Sequence, residues 1–123
     1  MAIIELTKDN FEQAIAGNSM VIVDFWAPWC APCHSFAPIF DAASKKHPEI
    51  MFGKVNTDEE QELAANFQIR SIPTLMILRN QVILFSQTGA LHASGLESII
   101  SQAQVVDMAR VHEEITREQP VSR

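Results

Sequence analysis

Apolar residues along this chain fall either in short unbroken runs or at every third or fourth position, and the two kinds of segment alternate. Ile3 to Leu6 predicts a short strand, and Thr7 to Asn10 offers capping residues for a helix through Ala16 that Gly17-Asn18 ends. Met20 to Trp26 is apolar on both faces apart from one acid, Asp24. Such a strand belongs in the middle of a sheet covered on both sides, which buries Asp24. From Pro32 to His47 the positions Phe36, Ala37, Phe40, Ala43 and Ser44 recur at helical spacing, with a kink expected at Pro38. Met51 to Val55 reads as a further strand. Thr57-Asp58-Glu59-Glu60 reads as a capping box opening a short helix with a stripe of Leu63, Ala64 and Phe67.

After Ile72-Pro73-Thr74, the apolar runs Leu75–Leu78 and Val82–Phe85 lie either side of Arg79-Asn80-Gln81 and predict an antiparallel hairpin. Gly89 breaks the chain, and Ser94-Gly95-Leu96-Glu97 reads as a second capping box, for a helix facing inward with Leu96, Ile99, Ile100 and Ala103. The order β-α-β-α-β-α-β-β-α makes an α/β fold, a mixed sheet with helices on both faces. Val105, Met108, Val111 and Ile115 continue a helical spacing on a stripe rotated away from that last helix. Residues 1–106 are therefore read as the domain, and 107–123 as a tail that either frays or forms a helical extension.

The chain has 123 residues, 47% hydrophobic and 20% charged, enough for one domain to bury a core without covalent staples. The net charge of −6, with no basic cluster, excludes a nucleic-acid backbone as the expected ligand. The first twenty residues carry Glu5, Asp9 and Glu12 instead of an apolar signal region, and no run reaches membrane-spanning length. A cytoplasmic protein without membrane contact is expected.

In a reducing compartment, a cysteine pair is read as chemistry before it is read as a staple. The two cysteines, Cys30 and Cys33, lie in Phe25-Trp26-Ala27-Pro28-Trp29-Cys30-Ala31-Pro32-Cys33-His34, between a strand and a helix. Two intervening residues allow a disulfide within one turn. The orphan N–H groups of a helix start favour a thiolate, making Cys30 the exposed, acidic sulfur and Cys33 the protected one. The bland alternatives are two inert core cysteines or half of a zinc site. Zinc needs two more ligands, and His34, His47, His92 and His112 form no ligand-spaced pair.

An acid-bearing strand, Trp29-Cys30-Ala31-Pro32-Cys33, a proline within the following helix, Ile72-Pro73-Thr74 before a hairpin and Gly89 before the last helix occur here in order. In these features, over Ile3 to Ala103, the chain resembles the thioredoxin family. The resemblance implies a five-stranded mixed sheet flanked by four helices. It implies a thiol–disulfide oxidoreductase that reduces protein disulfides, with Cys30 as attacking thiolate, Cys33 as resolving thiol, and Asp24 beneath Cys33 as a buried proton acceptor. Trp29, Ala31, Pro32, Ile72, Pro73 and Gly89 are implied as the substrate-binding surface, with Pro73 in the cis form, and Lys54 and His34 as residues that tune the site. It implies no bound cofactor beyond the Cys30–Cys33 disulfide, reducing equivalents from NADPH through a separate flavin reductase, and as partners a thioredoxin reductase and disulfide-containing client proteins. A monomer is expected, with a weak dimer as the alternative.

Three positions depart from the family pattern: Ala31 where Gly is common, His34 where Lys is frequent, and Asn80-Gln81 in place of an Asn-Gly turn. The first two leave a protein disulfide oxidase or isomerase open as a rival activity. A thioredoxin-like binding module with an incidental dithiol is the rival outside catalysis.

Overall fold

A computed structural model describes residues 3–118. Its elements in chain order are β1 (Ile4–Glu5), α1 (Phe11–Ala16), β2 (Met20–Trp26), α2 (Ala31–Lys46), β3 (Met51–Asn56), α3 (Gln61–Asn66), β4 (Thr74–Arg79), β5 (Val82–Thr88), α4 (Ala93–Gln104) and α5 (Met108–Glu118). The strands form one five-stranded sheet in the order β1-β3-β2-β4-β5. β3 runs parallel to β1 and β2, while β4 is antiparallel to β2 and β5. The most apolar strand, β2, lies at the centre, where both its faces are covered.

Alternation along β2 divides the core. Met20 and Ile22 face Phe36, Phe40 and Ala43 of α2 and Leu96, Ile100 and Ala103 of α4. Val21, Val23 and Phe25 face the other way, towards Phe11 and Ile15 of α1 and Leu63 of α3. Phe25, Phe36 and Phe40 are almost completely removed from water, each worth roughly 2–3 kcal/mol of transfer free energy. α2 continues through Pro38 as a single helix of 16 residues, with that ring on its solvent side. Its stripe of Phe36, Phe40 and Ala43 therefore stays in register with the sheet.

Both expected capping boxes are absent, because their side chains are engaged elsewhere. The Thr57 hydroxyl donates to the Trp26 carbonyl at 3.0 Å and the Glu60 carboxylate accepts from the Lys8 N–H at 3.0 Å, so α3 begins at Gln61 without a side-chain cap. His92, not Ser94, precedes the first turn of α4, and Glu97 Oε1 meets His47 Nε2 at 2.8 Å, tying α4 to the end of α2. In the hairpin, Asn80 and Gln81 both take positive φ, 51° and 70°, as a two-residue turn between twisted strands requires.

Four helices flank the sheet, and a fifth, α5, follows them. α4 stops at Gln104, where the Arg79 guanidinium donates to the carbonyls of Ala103, Gln104 and Val106 at 3.0, 3.1 and 3.1 Å. That break lets the rotated stripe of the tail take its own direction: Met108 is buried, Val111 is half-buried and Ile115 is exposed.

Candidate active site

β2, the central strand, ends at Trp26, and a tight turn closed by Cys30 N–H to Ala27 O, 3.2 Å, feeds α2. Ala27 is fully buried, which pins the turn to the core. Pro32 sits in the first turn of α2, where its missing N–H leaves no helical bond unmade. Cys30 is the N-cap in an extended conformation, φ −91° and ψ 108°, and its sulfur accepts from the Cys33 N–H at 3.2 Å. A backbone donor aimed at Sγ stabilises negative charge there, the property an attacking thiolate needs.

Cys30 and Cys33 are joined as a disulfide, with their Cα atoms 5.3 Å apart. Contrary to the expected contrast in exposure, both are covered in this oxidised state, at 4% and 2%. The disulfide beds in a small apolar cluster with Ala27, against which Trp26 and Ile72 pack.

Asp24 lies six residues before Cys30, on the strand that leads into the turn. Its position two residues beyond Ile22 places it on the sheet face that α2 covers. It is completely buried, and neither carboxylate oxygen has a hydrogen-bond partner. Burial lifts its pKa from 3.8 to about 6, against a smaller opposing pull from the Lys54 ammonium. Lys54 stands beside Asp24 in the parallel β2–β3 register. Its Nζ, however, rests 4.8 Å from the centre of the Trp26 ring, so it acts on Asp24 through space and not as a hydrogen-bonded partner.

Trp29 is 70% exposed, which rules out a role as core packing, and its indole N–H donates to Asp58 Oδ1 at 3.1 Å. Asp58 comes from the turn after β3 and was hidden in the sequence because Thr57-Asp58-Glu59-Glu60 has the composition of a helix cap. The Ile72–Pro73 peptide is cis, and the Pro73 carbonyl accepts from the Gly89 N–H at 2.8 Å. Ile72 packs against the disulfide cluster, and Gly89 is tied to Pro73 from the end of β5. Gly89 has φ 101°, and the space where a Cβ would stand is open. Ala31 and Pro32 are exposed on the first turn of α2. His34 turns back on the preceding loop, Nε2 lying 2.6 Å from the Pro28 carbonyl oxygen. Among the described residues no group of three or more His, Cys, Asp or Glu side chains converges as a metal site.

The chain that builds a disulfide at a helix N-terminus, a buried acid on the feeding strand and a cis-proline loop matches, over residues 2–102, the family model described as Thioredoxin. The chain belongs to the thioredoxin family. It is 47% identical over 116 residues to a Streptomyces coelicolor protein designated thioredoxin 2, covering 94% of this chain and 87% of that one. It is 39% identical over 104 residues to a Porphyra purpurea thioredoxin, covering 83% and 97%. Among solved structures it resembles Fasciola hepatica thioredoxin, with TM-score 0.77, 30% identity and coverage of 81% and 98%. Plasmodium falciparum thioredoxin is similarly close, with TM-score 0.76, 34% identity and coverage of 81% and 98%. The fold is the thioredoxin fold. Thioredoxins are protein-disulfide oxidoreductases that need no bound cofactor, and this chain carries the redox-active Cys30–Cys33 disulfide in the position that activity requires.

Proposed function

We propose that this thioredoxin acts in the cytoplasm as a monomeric electron carrier, reduced by a flavin-dependent thioredoxin reductase at the expense of NADPH and oxidised by disulfide-bonded client proteins. In the first step the Cys30 thiolate attacks one client sulfur. A Cys30–client bond forms, the client disulfide breaks, and its other sulfur leaves as a thiolate that takes up a proton. Cys33 then gives its proton to the Asp24 carboxylate and attacks Cys30 Sγ. This closes Cys30–Cys33 and expels the client's second thiolate, so two electrons have passed to the client. The observation that carries this reading is the capped Cys30 sulfur at the start of α2, with an unpaired, buried carboxyl on the adjoining strand.

Trp29, Ala31, Pro32, Ile72, Pro73 and Gly89 supply the client-facing surface, where an extended segment pairs with the backbone at Ile72. Residues 1–106 carry the activity and 107–123 are an appendage to it. The test is reduction of insulin disulfides by NADPH in the presence of a thioredoxin reductase. NADPH consumption should depend on this chain, persist in a chain ended after Val106 and vanish in Cys30→Ser. Consumption that continues undiminished in Cys30→Ser refutes the reading.

A further inference from the structure

His34 follows the dithiol on the first turn of α2 and is exposed, yet its ring is committed. Nε2 is 2.6 Å from the Pro28 carbonyl oxygen, and the ring stands edge-on to Trp26 at 6.3 Å and 77°. A carbonyl only accepts, so Nε2 carries the hydrogen. That donor is present in the imidazolium and in one neutral tautomer alike.

The Pro28 carbonyl and the Trp29 N–H belong to one rigid peptide plane, so holding the carbonyl fixes the orientation in which the chain enters Trp29 and then Cys30. Pro28 has no N–H of its own to anchor the loop. The turn is otherwise closed by the longer Cys30 N–H to Ala27 O bond at 3.2 Å. At its far end, the exposed Trp29 side chain is held by Asp58. Trp29 is therefore gripped twice, at its backbone from α2 and at its indole from the turn after β3.

We infer that His34 is a positioning residue for client recognition: by clipping the Pro28–Trp29 peptide to α2 it preorganises Trp29 as a wall beside the disulfide. The inference rests on the reductase reading above. A protein client must press on that wall, whereas a small disulfide need only reach the sulfur. Preorganisation lowers the cost of binding the first and leaves the second little changed. His34 then acts on the loop as a hydrogen-bond donor.

The test uses the pre-reduced full chain, without any reductase, mixed with rising concentrations of insulin or with the small disulfide 5,5′-dithiobis(2-nitrobenzoate). Oxidation by insulin is followed by the fluorescence of Trp26 and Trp29. His34→Leu keeps apolar bulk against Trp26 without a donor, and His34→Gln keeps a neutral donor of similar reach. Loss of one hydrogen bond predicts that His34→Leu raises the half-saturating insulin concentration about five-fold. The limiting rate and the rate with the small disulfide should each change less than about two-fold, and His34→Gln should recover most of the loss.

Wild-type insulin saturation in His34→Leu, equal impairment of the Leu and Gln variants, or equal slowing with both substrates would each overturn the inference. A wild-type chain that insulin does not oxidise would instead refute the reductase reading on which it rests.

Discussion

Asp24 is the residue on which stability and chemistry meet. Its carboxyl is fully buried, without a hydrogen-bond partner, on the sheet face that α2 covers. Burial raises its pKa to about 6, so the folded protein keeps the proton through a range where the unfolded chain, near 3.8, has released it. Below pH 3.8 both states are protonated and the group costs the fold nothing in charge. As pH rises from 3.8 to about 6 the unfolded state is progressively favoured, and above that range the loss is complete, at about 3 kcal/mol for a shift of this size. Urea melts of the oxidised protein at pH 4, 5, 6 and 7 should therefore show falling stability in the wild type, and a flatter profile with a more stable fold at pH 7 in Asp24→Asn. The same variant cannot take the Cys33 proton, so client release from the mixed disulfide should slow more than its formation. A parallel pH profile with unimpaired release would make Asp24 a structural residue only. Asp24, Cys30 and Cys33 were legible in the sequence because each is anomalous in its own segment. Asp58 was not, since its bond to Trp29 joins positions 29 residues apart and no local pattern records such a pairing.

Hydrophobic period identified the long elements, because β2, α2 and α4 are each set by which face they bury. Their starts were less legible. A helix cap is written in the same residues that make long-range bonds, and Glu60 and Glu97 accept from Lys8 and meet His47 instead of closing capping boxes. The hairpin shows the opposite case, where tertiary pairing overrides an unfavourable turn sequence. β4 and β5 pair from Thr74–Thr88 to Arg79–Val82, with a register shift between Ile77 and Leu78, and Gln81 takes φ 70°, a conformation that costs a residue with a Cβ. Gln81→Gly should relieve that cost and stabilise the protein by about 1 kcal/mol, with no effect on disulfide reduction. Denaturant midpoints measured at constant slope would show it, and an unchanged or lower midpoint would mean that the Gln81 side chain contributes packing worth as much as the backbone cost.

Across the whole molecule, the end of the central strand, the start of the helix that follows it and the cis-proline loop before β4 meet at one end of the strands. The fold thereby supplies in one place a sulfur capped by a backbone donor, a second sulfur one turn on, an apolar bed and an exposed indole. The order of elements was readable from the chain, but the separate direction of α5 was not, because it depends on Arg79 in β4 gathering three carbonyls from the end of α4 and beyond. The central claim is the division of labour between the two sulfurs, and it is tested most directly by trapping. Each single-cysteine variant, Cys33→Ser and Cys30→Ser, is reacted with disulfide-bonded insulin, and the covalent product is weighed by mass spectrometry without reductant. Cys33→Ser should accumulate a mixed disulfide through Cys30 that cannot resolve, while Cys30→Ser should give little or none. A stable adduct through Cys33 in Cys30→Ser, with none through Cys30 in the other variant, would contradict the account.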